Sequence, residues 1–114
     1  MLIKRNEMKT EEKEKLRDGV GKAGVCTLVN CENEKNIRFL SEITLEPGST
    51  VGKHNHVNET EYFVFLSGSG IVDDDGKEEP VNAGDVLITG RGAYHAVNNT
   101  GSVPLVFIGV IVTY

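Results

Sequence analysis

His54 and His56 flank a single residue, and the chain holds just one further histidine, His95. In an extended strand, side chains i and i+2 point to the same face, so both imidazoles of this pair can reach one point. Glu61 follows five residues after His56 and opens the apolar run Tyr62-Phe63-Val64-Phe65-Leu66, while His95 ends the stretch from Gly84. Imidazole and carboxylate together suit a divalent transition metal.

The rest of the sequence reads the same way. Val25–Val29 is a short strand. Ile37–Leu45 alternates, with Ile37, Phe39, Ser41, Ile43 and Leu45 on one face and Arg38, Glu42 and Thr44 on the other. Turns at Glu46-Pro47-Gly48, Ser67–Gly70 and Asp73–Gly76 separate strands predicted at Glu61–Leu66, Ile71-Val72, Asp85–Thr89 and Ala93–Val97. The last strand, Leu105–Thr113, is apolar on both faces and so is covered on both sides. The barrel core takes one face, and a second copy of the chain is the simplest cover for the other. About nine short strands with no long helix give an all-β barrel or sandwich. Residues 4–18 are charge-dense and lack apolar periodicity. They read as a solvated polar arm with a helical turn around Glu11–Leu16, followed by a flexible entry loop from Gly19 to Gly24. The expected organisation is an arm and entry loop over residues 1–24 and a single barrel over 25–114.

Two spacings in this chain are similar to the paired motifs of the cupin family. The first, G(X)5HXH(X)3–4E(X)6G, runs through Gly48, His54, His56, Glu61 and Gly68 without departure. The second, G(X)5PXG(X)2H(X)3N, runs through Gly84, Gly92, His95 and Asn99, with Gly90 where proline is usual. A glycine can make that turn at a cost in chain entropy. The resemblance covers Gly48 to Asn99. It implies a small β-barrel of jelly-roll type with Greek-key connections, and a metal held by His54, His56, Glu61 and His95. Glu59 competes for the carboxylate place, because a break at Val57-Asn58 leaves strand parity open. The six-residue spacing from Glu61 to Gly68 favours Glu61 and makes Glu59 a solvated rim carboxylate.

Three imidazoles and one carboxylate leave positions on an octahedral ion for water, dioxygen or a bidentate ligand. Mn, Fe, Ni, Co and Zn all use such a set, and one ion per chain is the expected cofactor. Each ligating imidazole needs a partner for its other nitrogen, for which Asn55, Asn98 and Asn99 are candidates. Phe63 and Phe65 share parity with Glu61 and are expected to line the pocket, joined by Phe39, Ser41 and Phe107. Arg91 and Tyr94 are the polar anchors near the second motif. A divalent ion with one carboxylate leaves a site of about +1, which attracts a small acid such as oxalate or a 2-oxo acid. Arg91, turned inward, would grip a second carboxylate. The resemblance leaves several functions open: a metal-dependent decarboxylase or dioxygenase, a sugar isomerase, or a binding module without turnover. Turnover needs an acid or base beyond the ligands, and Glu59, Tyr62 and Tyr94 are the candidates.

The formal charge of −5 argues against a nucleic-acid partner, which calls for clustered Lys and Arg. No stretch approaches the roughly 20 apolar residues of a membrane span. Met1 to Arg17 is too charged for a secretory signal, so a cytoplasmic location is expected. Cys26 and Cys31 lack redox spacing and read as reduced structural residues. The expected assembly is a homodimer built on strand faces.

Overall fold

The computed structural model describes residues 1–114. The chain forms ten strands: β1 (Lys9–Glu14), β2 (Lys22–Thr27), β3 (Ile37–Leu45), β4 (Thr50–Asn55), β5 (Glu59–Ser67), β6 (Ser69–Asp74), β7 (Lys77–Asn82), β8 (Val86–Gly90), β9 (Tyr94–Asn98) and β10 (Leu105–Thr113). Every pairing is antiparallel. Six strands build one sheet in the order β1-β2-β3-β10-β5-β8, and four build the other in the order β4-β9-β6-β7. The inward faces meet in a core to which the larger sheet gives Ile43, Leu45, Phe63, Phe65, Leu87, Leu105 and Phe107. The smaller sheet gives Val51, Val72, Val81 and Val97. This is the all-β jelly-roll architecture expected.

The central strand of the larger sheet is β10. Leu105, Phe107 and Ile111 are buried, while Val106, Ile108, Val110 and Val112 are half-buried on the outer face. Its place between β3 and β5 puts this half-buried outer face at the middle of the larger sheet. The hairpin between β6 and β7 turns at Asp75-Gly76, both at positive φ, with the Gly76 N–H donating to Asp73 Oδ1 at 2.8 Å.

The N-terminal segment corrects one expectation. The helical turn expected at Glu11–Leu16 is instead strand β1 over Lys9–Glu14, paired with β2 from Lys9↔Thr27 to Glu14↔Lys22. All six residues of β1 are exposed, so it has no apolar face from which periodicity could reveal a strand. β2 starts at Lys22, inside the expected entry loop. A short 3-10 turn, Leu16–Asp18, joins the two strands, and Leu16 packs against the core. Ahead of β1, Arg5 reaches Glu42 on β3 at 2.8 Å.

The departure at Gly90 has a local cause. A Cβ there would lie 2.4 Å from Thr60 Oγ1 and 3.0 Å from the Glu59 carbonyl oxygen. The turn that follows uses Arg91 at φ 57 and Gly92 at φ 84, a left-handed pair that feeds β9.

Candidate metal centre

The smaller sheet sets the histidines. In the β4–β9 pairing His54 stands directly opposite His95, just after a register shift that follows Val51. His56 lies one residue beyond β4. Its N–H donates to the Ala93 carbonyl at 3.0 Å, and its carbonyl accepts the Gly92 N–H at 2.7 Å. Glu61 comes from β5 on the facing sheet, where it pairs with Thr89 on β8 and Ile111 on β10.

The four side chains converge. Glu61 Oε1 lies 3.0 Å from His56 Nε2 and 3.2 Å from His95 Nε2. His95 Nε2 lies 3.2 Å from His56 Nε2 and 3.1 Å from His54 Nε2. The His54 Nε2 to Glu61 Oε1 separation is wider, 4.0 Å. Donors bonded to one ion at about 2.1 Å lie roughly 3 Å apart when at right angles, so the shorter separations suit a single cation. His56, Glu61 and His95 are buried.

Each imidazole has a partner for Nδ1. His54 Nδ1–H donates to the Gly52 carbonyl at 2.7 Å, and His56 Nδ1–H to Glu59 Oε2 at 2.5 Å. His95 Nδ1 meets Thr89 Oγ1 at 2.8 Å. These contacts leave the Nε2 atoms facing the centre, as metal-ligating histidines require. The expected asparagines do not serve here. Asn55 and Asn98 are exposed. Asn99 is buried and donates to the carbonyls of Leu45 and Val103 at 2.8 and 2.9 Å.

Glu59 is also placed differently from the solvated rim carboxylate expected of it. β5 begins at Glu59, so Glu59, Glu61, Phe63 and Phe65 share one face. Besides His56, Glu59 takes two hydrogen bonds of 2.7 Å from Arg38 Nε and its terminal nitrogen. The Arg38 guanidinium, against the cost of burial and with help from His56, holds the Glu59 carboxyl down to about 2. Burial of His54, outweighing the Gly52 hydrogen bond and reinforced by His95 and Arg17, lowers its pKa to about 4. Burial lowers that of His56 as well, but hydrogen bonds to Glu61 and Glu59 win, and His56 stands above its ordinary value. Burial raises the Glu61 carboxyl, yet the hydrogen bonds from His56 and His95 hold it below the usual range.

A cavity of about 130 Å³ opens beside the four donors. His54, His56 and Glu61 form its polar wall, and Phe39, Phe63, Ile43, Val51 and Ile111 its apolar one. Phe63 stacks on His95 with centroids 4.7 Å apart. Phe65 and Phe107 lie in the core behind it, at 6.3 and 4.8 Å from the Phe63 ring. Ser41 is buried within β3. Arg91 is not at the cavity. It is exposed beside Thr60, Tyr62 and Ile88 on the outer surface. Tyr94 alternates away from His95, with the Lys53 ammonium 4.1 Å above its ring. The cations that line the cavity are Arg17 and Arg38. Neither stands near a histidine in sequence, and only the pairing of β3 with β10 and the turn after β1 bring them in.

A two-sheet antiparallel barrel that encloses three imidazoles and a carboxylate, each oriented from behind, defines a metal-centred β-barrel protein. The chain belongs to the cupin family, whose cupin domain matches residues 41–112. The oxalate-binding protein of Thermotoga maritima is 36% identical over 113 residues, which cover 98% of this chain and 93% of that protein. A crystal structure from the same organism, described as a predicted oxalate decarboxylase, is 35% identical with a TM-score of 0.95, and 100% of both chains is covered. A sugar phosphate isomerase structure from Silicibacter pomeroyi shares the fold at a TM-score of 0.70, with 22% identity over 81% of this chain and 60% of that one.

Proposed function

We propose that this chain binds a small carboxylate, oxalate or a 2-oxo acid, at a divalent transition metal held by His54, His56, Glu61 and His95. The cavity carries the reading: at about 130 Å³ it admits only a ligand of few heavy atoms, and its cations are two arginines. When bound, the metal supplies the local positive charge that a carboxylate neutralises. The likeness to the oxalate-binding protein of Thermotoga maritima supports an acid ligand. Mn, Fe, Ni, Co and Zn all suit the donor set, and elemental analysis of native protein decides between them.

The geometry supports binding over turnover. Glu59 is held by Arg38 and His56, Tyr62 points out of the barrel from β5, and Tyr94 is packed under Lys53. The titratable groups that remain at the cavity are metal donors and arginines. None is a free acid or base at neutral pH. The test is calorimetric titration of metal-loaded protein with oxalate, a 2-oxo acid and a neutral sugar, with product analysis in parallel. Metal-dependent binding of the acids without product is the expected result. Binding of the sugar alone, or of nothing, rejects the reading, and release of carbon dioxide from oxalate turns it into a decarboxylase.

Two further parts of the reading concern setting. The outer face of the larger sheet carries Leu66, Val86 and Ile88 exposed beside the half-buried valines of β10, which supports a homodimer built on this face. Cys26 and Cys31 are both free thiols, which supports a reducing, cytoplasmic compartment.

A further inference from the structure

Between β1 and β2 the chain runs against β4 beside the cavity as a strap, Lys15 to Gly19. Lys15, Arg17 and Asp18 have φ values of 52, 54 and 62. Such left-handed residues are uncommon outside glycine and persist where the surroundings hold them. Here the surroundings do. Leu16 packs on the core. The Lys15 N–H donates to the Gly21 carbonyl at 2.9 Å. The Val20 N–H donates to Thr50 Oγ1, and the Thr50 N–H to the Val20 carbonyl, both at 2.8 Å.

The strap sits tightest against Gly52 of β4, where a Cβ would lie 2.0 Å from the Arg17 carbonyl oxygen. Only a glycine admits the strap at this height. The carbonyl of the same Gly52 accepts the His54 Nδ1–H. One residue therefore seats the strap and orients a metal donor.

Arg17 lines the cavity from the strap, exposed to solvent but close enough for its guanidinium charge to bear on His54. Of the two guanidiniums there, Arg38 is committed to Glu59 through two hydrogen bonds. Arg17 makes no ion pair. It is a planar fork without a carboxylate, beside a centre suited to bind one. An acid that chelates an ion through one oxygen of each carboxylate keeps its other two oxygens on the far side. A monocarboxylate that chelates through both its oxygens keeps none.

We infer that Arg17 is the specificity residue of this cavity, gripping the oxygens of the acid that do not reach the metal and so selecting diacids over monocarboxylates. The inference rests on the acid-binding reading above. It is tested by calorimetry on metal-loaded parent, Arg17→Gln and Arg17→Lys proteins titrated with oxalate and with acetate, with metal content measured for each. Arg17→Gln should keep its metal, lose about 10- to 100-fold in oxalate affinity, and bind acetate as the parent does. Arg17→Lys should recover part of the loss, because a point charge replaces a fork. Unchanged oxalate affinity in Arg17→Gln, or equal losses for oxalate and acetate, would overturn the role of Arg17 while leaving acid binding intact. A parent that binds neither acid would overturn the acid reading itself, and this inference with it.

Discussion

Glu59 and His56 share a hydrogen bond of 2.5 Å, and Arg38 clamps the same carboxylate through two contacts of 2.7 Å. The chain Arg38–Glu59–His56 fixes the imidazole with Nε2 toward the centre. It also keeps a charged carboxylate close to the cavity without making it a fourth donor. Glu61, two residues on along the same face, takes that place at 3.0 Å from His56 Nε2.

This arrangement predicts the behaviour of Glu59→Gln. The variant should retain the fold and all four donors but bind metal about 10- to 100-fold more weakly, because a neutral amide replaces the charged carboxylate behind His56. Competition with a chelator measures it. Glu61→Gln, which alters a donor, should lose more. Equal affinity in Glu59→Gln and parent would show that the relay behind His56 does not tune the centre.

The metal-free protein should lose stability in acid through Glu61, whose carboxyl is held below its ordinary value, and through His54 and Glu59. His54 has a folded value near 4 against 6.5 unfolded, so its contribution is present above 6.5 and lost as pH falls toward 4. Glu59 stands near 2 against 4.5, so its contribution is present above 4.5 and lost as pH falls toward 2. His56 has the opposite sign: its contribution is fully present below 6.5 and is lost as pH rises through its raised folded value. Thermal unfolding of metal-free parent and His54→Gln between pH 7 and pH 3 checks the first window. The variant's curve should be the flatter of the two from 6.5 to 4, and parallel curves would count against the burial of a neutral His54.

Much of this molecule is written locally. His54 and His56 face one way because strands alternate, and His95 meets them because β4 and β9 pair. The motif spacings select Glu61. What lay beyond reach was either without pattern or without sequence proximity. β1 has no buried residue to give a period. The break before Glu59, where Asn58 takes φ 59, hid the fact that Glu59 and Glu61 share a face. Arg91 was expected at the pocket because it stands near His95 in sequence, but a left-handed turn carries it outside. Arg17 and Arg38 reach the cavity from strands and turns far from the histidines.

Phe63 links core and centre. It is 2% exposed, stacks on His95 and packs 4.8 Å from Phe107. Phe63→Ala should cost about 3–5 kcal/mol in denaturant titration of the metal-free protein, since the closed barrel leaves little room for collapse around the cavity. A cost below about 1 kcal/mol would mean that the ring is not packed as described.

The outer face of the larger sheet should carry the dimer contact. Ile88 and Val86 are 59% and 55% exposed on β8, next to Leu66 on β5. Sedimentation of the parent at micromolar concentration should give twice the 12.4 kDa chain mass, and Ile88→Asp should shift it to the single chain. A parent that sediments at 12.4 kDa leaves this face without a partner.

The central claim is that the three histidines and Glu61 hold a metal that in turn holds a small acid. The most direct measurement is oxalate titration of the protein as purified with its metal content known, repeated after chelation and on His54→Ala with His95→Ala combined. The account predicts close to one transition-metal ion per chain, oxalate binding that disappears on chelation and returns with added metal, and neither metal nor oxalate bound by the double variant. Full metal content in the double variant, or oxalate binding that survives chelation, would contradict it.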